Sequence, residues 1–367
     1  MSEVLDVTQV YKDLHQTPEL GFEEVQTSKY IAKHLKAMGY EVHEGIGKTG
    51  VVAYERSNEP GPTVMLRADM DALPFTINGE KKVIHACGHD SHCSMLLAAA
   101  SRLKGQIKKG TLKLFFQPGE ETLKGALSSI EDGVLDDVDM AFSLHVRPKN
   151  DIPGGVMAAS IKHAACAFLR IDVQGHPAHA SRPHLGVNVA EMIAAIIQGI
   201  AAQKFDPSKS WSIKCTKIET QGTAVNIIPE KGYCLFDVRA ETNPIMNAIL
   251  ERAQKIAQGV ADGYGGSVEV KPLGDVIPAC EYDDELTAEM ADCIKEVVGA
   301  DNLKMTCVGG GEDFHFYKQK KPSLRVAYMG VGCDLEPGLH HPDMQLVPEF
   351  LENGVKVLEK ITLRHLG

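Results

Sequence analysis

Apolar side chains recur at helical spacing over residues 5–16 and 23–38, which predicts two amphipathic helices at the start of the chain. Ile31, Leu35 and Met38 share one face of the second helix, Gly39 follows as its terminator, and Pro18-Glu-Leu-Gly21 separates the pair. The period then shortens. Thr49 to Tyr54 and, after Pro60-Gly-Pro62, Thr63 to Arg67 both predict strands. Ser91 to Leu103 is dense in Met, Leu and Ala and predicts a buried helix with Asp90 or Ser91 as its N-cap. Thr111 to Gln117 predicts a strand ending at Pro118-Gly119, and Asp139 to Val146 another. Strands alternating with helices predict an α/β sheet.

The rhythm changes near residue 166. Phe168 to Val173 alternates as a strand, and Gly186 to Ala202 predicts a helix. Two strands, Trp211 to Thr220 and Gly232 to Arg239, precede a helix over Asn243 to Asp262 and a strand over Ser267 to Lys271. That order, β-α-β-β-α-β, is the ferredoxin-like unit, and at about 110 residues it is large enough to fold as a domain. After Pro272-Leu-Gly274 the earlier pattern resumes: a helix over Asp283 to Val298, a Gly309-Gly-Gly311 loop, a strand over Ser323 to Val331 and a last helix from Pro348. The expected organisation is a larger α/β domain over 1–165 and 274–367, interrupted by an inserted α+β domain over 166–273.

A chain of 367 residues exceeds one ordinary core, in line with that division. The net charge of −11, without clusters of Lys or Arg, argues against nucleic acid or an anionic membrane as partner. No apolar run approaches the roughly twenty residues that span a bilayer. The opening Met-Ser-Glu-Val-Leu-Asp lacks a basic and then apolar leader, so a cytoplasmic location is expected. Nine scattered cysteines, an odd count, fit reduced thiols in that compartment better than a disulfide framework.

The densest chemistry lies in His85-Ala-Cys-Gly-His-Asp90, with His92 just beyond. Cys87 and His89 are two apart, so an extended segment would point both side chains one way. A thiolate beside a neutral imidazole suits Zn²⁺ and disfavours Mg²⁺ or Ca²⁺. A buried thiol with two surface imidazoles would read the same way in isolation. The other polar groups decide between these. The strand at Val64 runs into Asp69 and Asp71, the strand at Leu112 into Glu120-Glu121, and the strand at Ala141 into His145. The strand at Val326 leads after a loop to Leu339-His-His-Pro342. All would fall outside the carboxyl ends of sheet strands, where open α/β folds bind ligands. In a metal hydrolase one carboxylate must ligate while another moves the proton, and the Glu120-Glu121 pair can divide those roles. Cys87, His89, Glu121, His145 and one of His340 and His341 make five ligands, more than a single catalytic zinc uses.

The same residues carry a family resemblance. Asp13-Leu-His-Gln-Thr-Pro-Glu-Leu-Gly-Phe-Glu-Glu24, Arg67-Ala-Asp-Met-Asp-Ala-Leu-Pro74 and Ala86-Cys-Gly-His-Asp90 come first, followed by Gln117-Pro-Gly-Glu-Glu121. Asn226-Ile-Ile-Pro229, Glu312-Asp-Phe314 and Leu339-His-His-Pro342 complete the series. In order and through nearly the whole chain, they resemble the aminoacylase, hippurate hydrolase and indole-acetyl-amino-acid hydrolase family. These are dinuclear-metal amidohydrolases related to glutamate carboxypeptidase. The resemblance implies a catalytic α/β domain with a mixed sheet, interrupted by a ferredoxin-like lid that also makes a homodimer. It implies Cys87, His89, Glu121, His145 and His340 as ligands of two divalent ions, Zn²⁺ or Mn²⁺, with Co²⁺ and Ni²⁺ as alternatives. It implies Glu120 as general base and acid, and Asp71 as the carboxylate supporting the metal site. In the inserted domain it implies His179, of Gly175-His-Pro-Ala-His179, as an oxyanion stabiliser, and Asn226 and Arg239 as substrate-binding residues. Two positions depart from the family pattern: Ser91 replaces a usual glycine, and His176-Pro177 stand where two glycines often precede the histidine.

The expected activity is therefore amide hydrolysis of N-acyl amino acids, with N-acetyl or aromatic acyl groups. A dipeptidase or carboxypeptidase, or an N-acetyl-diaminopimelate deacetylase, would use the same chemistry. A metal-stabilised binding protein without turnover is the reading from another class, and Glu120, superfluous for holding metal, speaks against it.

Overall fold

Asp6 accepts a hydrogen bond from the Thr8 amide and so starts helix α1 (Val7–His15); α2 (Val25–Met38) stops at Gly39, whose φ of 83° is left-handed. The computed structural model describes residues 4–222 and 224–367. Strands β1 (Glu41–Ile46), β2 (Gly50–Arg56) and β3 (Thr63–Asp69) follow, then helix α3 (His89–Leu103). Next come β4 (Thr111–Gln117), β5 (Met140–Pro148) and the short β6 (Met157–Ala158). The chain forms two compact units, one of Met1–Lys162 with Glu281–Gly367, the other of His163–Cys280.

The second unit contains β7 (Ala165–Gln174), α4 (Val189–Ala201), β8 (Trp211–Thr220), β9 (Lys231–Ala240), α5 (Asn243–Tyr264) and β10 (Ser267–Pro272). Its antiparallel sheet has the order β8-β9-β7-β10. Alternation sorts the faces: Leu169, Ile171 and Val173 join Phe236 and Val238 in a core with Ile193, Ile196 and Ile249 of the helices. Arg170, Asp172, Asp237 and Arg239 fall on the opposite face.

The first unit resumes with α6 (Asp284–Val298), β11 (Leu303–Lys304), β12 (Arg325–Leu335) and α7 (Leu351–Leu366). Its eight-stranded mixed sheet has the order β1-β2-β4-β3-β5-β12-β6-β11. The four central strands, β4, β3, β5 and β12, are mutually parallel, so their carboxyl ends share one edge. Both faces of these strands are covered, which explains why they read as continuous apolar runs rather than alternating ones. Leu66, Leu114, Phe116, Phe142 and Met329 pack with Leu35, Leu97 and Leu358 of the helices, each such side chain contributing about 1.5–3 kcal/mol.

Asp283 caps α6 by accepting the Leu286 amide, and its two oxygens receive Arg325 Nε at 2.8 Å and Nη2 at 2.9 Å. Hydrogen bonding to Arg325 holds its carboxyl down at about 2, a depressed value, so its stabilisation is present above the ordinary carboxylate range and fades as pH falls through about 2. Asp283→Ala is expected to cost about 1 kcal/mol at neutral pH, the usual worth of a cap. The gap from wild type should narrow in chemical denaturation as the pH is lowered from about 4 to about 2. A gap that widens with acid would contradict this sign.

The structure differs from the sequence expectation at several ends. Helix α3 begins at His89, with Gly88 at φ 89° as its cap, so Asp90 and Ser91 lie inside the first turn. Strand β1 and the hairpin of Leu73–Ile77 with Glu80–Ile84 were not expected, and none of the three strands has a fully buried residue. Residues Pro348–Phe350 form a turn of 3₁₀ helix before α7.

Candidate metal centre

Four loops meet at the carboxyl edge of the parallel strands. Cys87 and His89 come together because Gly88 turns the chain between them, not by strand alternation as their spacing suggested. A Cβ on Gly88 would stand 2.4 Å from Val146 Cγ2 and at a positive φ, so only glycine serves. Cys87 Sγ lies 3.5 Å from His145 Nε2 of β5. His89 Nε2 is 3.9 Å from Glu121 Oε1 and 4.0 Å from Glu120 Oε2, both on the turn after β4. His340 Nε2 is 3.3 Å from Glu121 Oε1. Donor atoms thus gather within 4.8 Å of one another as Cys87, His89 and His145, as Cys87, Glu121 and His340, and as His89, Glu120 and Glu121.

The surrounding hydrogen bonds leave the right lone pairs free. Asp71 Oδ1 is 3.1 Å from His89 Nδ1, and the Asp71 carboxylate also accepts the amides of Glu120 and Glu121. His145 Nδ1 donates to the Val146 carbonyl at 2.6 Å. Each ring therefore turns Nε2 toward the cluster, the arrangement metal-ligating histidines adopt. His89 Nε2 is buried and has no hydrogen-bond partner among the described residues, which is what a site for a cation requires. Burial, with the negative charges of Glu121 and Glu120 adding to it, pushes the Cys87 thiol well up, and a nearby cation would offset this and favour the thiolate. The chemistry of the donor set fits a transition-metal pair.

His92 also stands beside His89, with Asp69 as the third member of the group. Its Nδ1 pairs with Asp69 at 2.6 Å and its Nε2 accepts the Val146 amide, so both nitrogens are used. His340 adopts φ 60° and its amide donates to the Ala86 carbonyl at 2.6 Å, tying its loop to the Cys87 loop. His341 lies outside the three donor groups, its Nδ1 accepting the Asp343 amide.

Behind Glu120 sits a network that sequence reasoning quoted as motifs without giving it a role. Arg67, fully buried, donates to Gln117, Asp69, Glu312 and Asp313. Tyr328 donates to Glu312, and the Asp313 amide reaches Glu120 Oε1 at 3.4 Å. Burial, then the charges of Glu312, Asp313 and Glu121, push the Glu120 carboxyl well up. The signal available in sequence was an arginine within an otherwise apolar strand, which is rarely buried unless paired.

The remaining expected residues lie in the second unit. His179 is exposed, pairs across to Ile227, and its Nδ1 accepts the Ser181 amide. The carbonyl of Asn226 accepts the Ala180 amide. Arg239 is engaged on its own strand, with Nε and Nη2 donating to Asp237 at 2.8 and 2.9 Å.

Residues 65–364 match peptidase family M20/M25/M40. The chain belongs to this family. It is 32% identical to the hippurate hydrolase of Campylobacter jejuni over 99% of this chain and 98% of that one. It is 35% identical to thermostable carboxypeptidase 2 of Saccharolobus solfataricus over 87% and 84% respectively. A crystal structure from Bacillus subtilis, described as a dinuclear metal binding peptidase from the M20 family, superposes with a TM-score of 0.81 at 27% identity. That superposition covers 98% of this chain and 97% of the other. Among the described residues no helix of this M20 family member is long and apolar enough to cross a membrane.

Proposed function

We propose that the chain hydrolyses the amide bond of N-acyl amino acids, with N-acetyl or aromatic acyl groups, in the cytoplasm. The observation that carries this reading is the convergence of Cys87, His89, Glu121, His145 and His340 beside a further carboxylate, Glu120. Those five would hold two divalent ions, Zn²⁺ or Mn²⁺. When bound, the ions supply Lewis-acid polarisation of the amide carbonyl and an acidified water. Glu120 takes a proton from the attacking water as its oxygen bonds to the carbonyl carbon, then delivers that proton to the amine nitrogen as the C–N bond breaks. Asp71 orients His89 and fixes the backbone of the Glu120-Glu121 turn. Motif similarity supports His179 as the oxyanion stabiliser and Asn226 and Arg239 as substrate contacts; Arg239 would act with its guanidinium already paired to Asp237.

A panel of N-acetyl, N-benzoyl and indole-acetyl amino acids with dipeptides, run alongside elemental analysis, tests the reading. Release of the free amino acid from an N-acyl substrate, with two metal ions per chain, is expected. Cleavage of dipeptides alone would favour a carboxypeptidase, the second reading, which the 35% identity to the Saccharolobus enzyme supports. A metal-loaded protein that cleaves none of them would sink both.

The second unit is proposed as a lid that also forms a homodimer. Its edge strand β8 runs ten residues with mostly exposed side chains, a form suited to pairing with another copy. If His179 acts across subunits, mixing Glu120→Gln and His179→Ala chains should restore part of the lost activity. Activity no greater than the sum of the two variants would count against sharing between subunits.

A further inference from the structure

The stretch Glu19–Glu24 has no part in the chemistry above, yet it ends in a carboxylate with no exposure to solvent. Glu24 has no cation paired with it among the described residues, an arrangement that costs stability unless its oxygens are fully engaged. They are. Oε1 accepts the Gly119 amide at 2.8 Å and Oε2 accepts the Thr49 hydroxyl. Gly119 immediately precedes Glu120, and it sits at φ 63° where a Cβ would meet the Phe22 ring at 2.9 Å. Gly21 packs as closely on the same turn: a Cβ there would stand 2.6 Å from Thr122 Cγ2 and 3.1 Å from Asp71 Oδ2. The Ala72 amide donates to the Glu19 carbonyl, so the stretch also touches the segment that carries Asp71.

Three successive amides of the turn are therefore held by buried carboxylates: Gly119 by Glu24, and Glu120 and Glu121 by Asp71. We propose that Glu24 is a positioning residue for Glu120, completing with Asp71 a two-carboxylate clamp that fixes the turn against the Glu19–Glu24 stretch. Asp71 holds the amides of both Glu120 and Glu121, and Glu24 holds the Gly119 amide, the residue that leads into the base. Displacing a reacting group by about 1 Å can cost about 100-fold in rate, so this clamp acts on turnover rather than on substrate affinity.

The inference rests on Glu120 being the base, and the test separates the two. Glu24→Ala should lower kcat by about 10- to 100-fold while KM stays within about threefold and both metal ions remain bound. Glu24→Gln keeps a carbonyl oxygen for the Gly119 amide and should recover most of kcat. Wild-type kcat in Glu24→Ala, or a Glu24→Gln as impaired as Glu24→Ala, overturns the clamp. If Glu24→Ala does not fold, Thr49→Val, which frees only Oε2, should still lower kcat by about threefold or more at unchanged KM, and wild-type kcat there overturns it. Glu120→Gln is run in parallel. If it stays active, the assignment of the base fails; if it is inactive while Glu24→Ala is normal, only the clamp fails.

Discussion

Glu120→Gln is expected to abolish amide hydrolysis while leaving the metal content unchanged. The substitution keeps the shape of the side chain and an oxygen for the Asp313 amide, and removes only the capacity to take and return a proton. Proton transfer by a positioned group is worth about 10²- to 10⁴-fold, so kcat should fall by that much. Cys87, His89, Glu121, His145 and His340 are untouched, so elemental analysis should find both ions. Turnover within tenfold of wild type would remove Glu120 from the reaction, and loss of metal in the variant would make it a ligand instead.

Arg67→Met should be the most damaging substitution for stability. The guanidinium is wholly buried and ion-pairs with Asp69, Glu312 and Asp313 at once, at 2.6, 3.1 and 3.1 Å. Methionine fills similar volume but leaves three carboxylates facing one another without a cation, and removing one partner from a buried ionic cluster typically costs about 3–5 kcal/mol. Arg67→Lys should recover little of this, because a single ammonium cannot reach Gln117, Asp69 and the Glu312–Asp313 loop together. Denaturant unfolding, followed as separate transitions if the two units melt independently, would measure it. A loss under about 1 kcal/mol would show that the cluster is held by other means.

Most strands and the long helices were legible because their period or their apolar density is strong, as at the central strand Thr111 to Gln117 and the edge strand Trp211 to Thr220, where the expected and observed bounds coincide. Strand β1 was not, since Glu41, His43 and Glu44 on an exposed edge have no face to bury and leave no pattern. The turn position of Glu120 and Glu121 followed from a strand that ends in polar residues, whereas His145 lies within β5, which runs on to Pro148. What stayed hidden was the way the loops are oriented. That Gly88 turns Cys87 onto His89 against Val146, and that His92 is consumed by Asp69 and the Val146 amide, depend on contacts between distant segments, whereas His340 rather than His341 was indicated only by the family motif.

Those distances have a bearing on biosynthesis. Arg67 and Glu312 are 245 positions apart, and the whole second unit is translated between them. Until the ribosome has released the last stretch, the nascent larger unit carries Asp69 and Glu120 without Glu312, Asp313 or His340 and cannot close its sheet with β12. The intervening unit, whose four-stranded sheet is built entirely from strands of its own stretch of sequence, is free to form first. Maturation then becomes a vectorial process in which the catalytic half is the last to be completed.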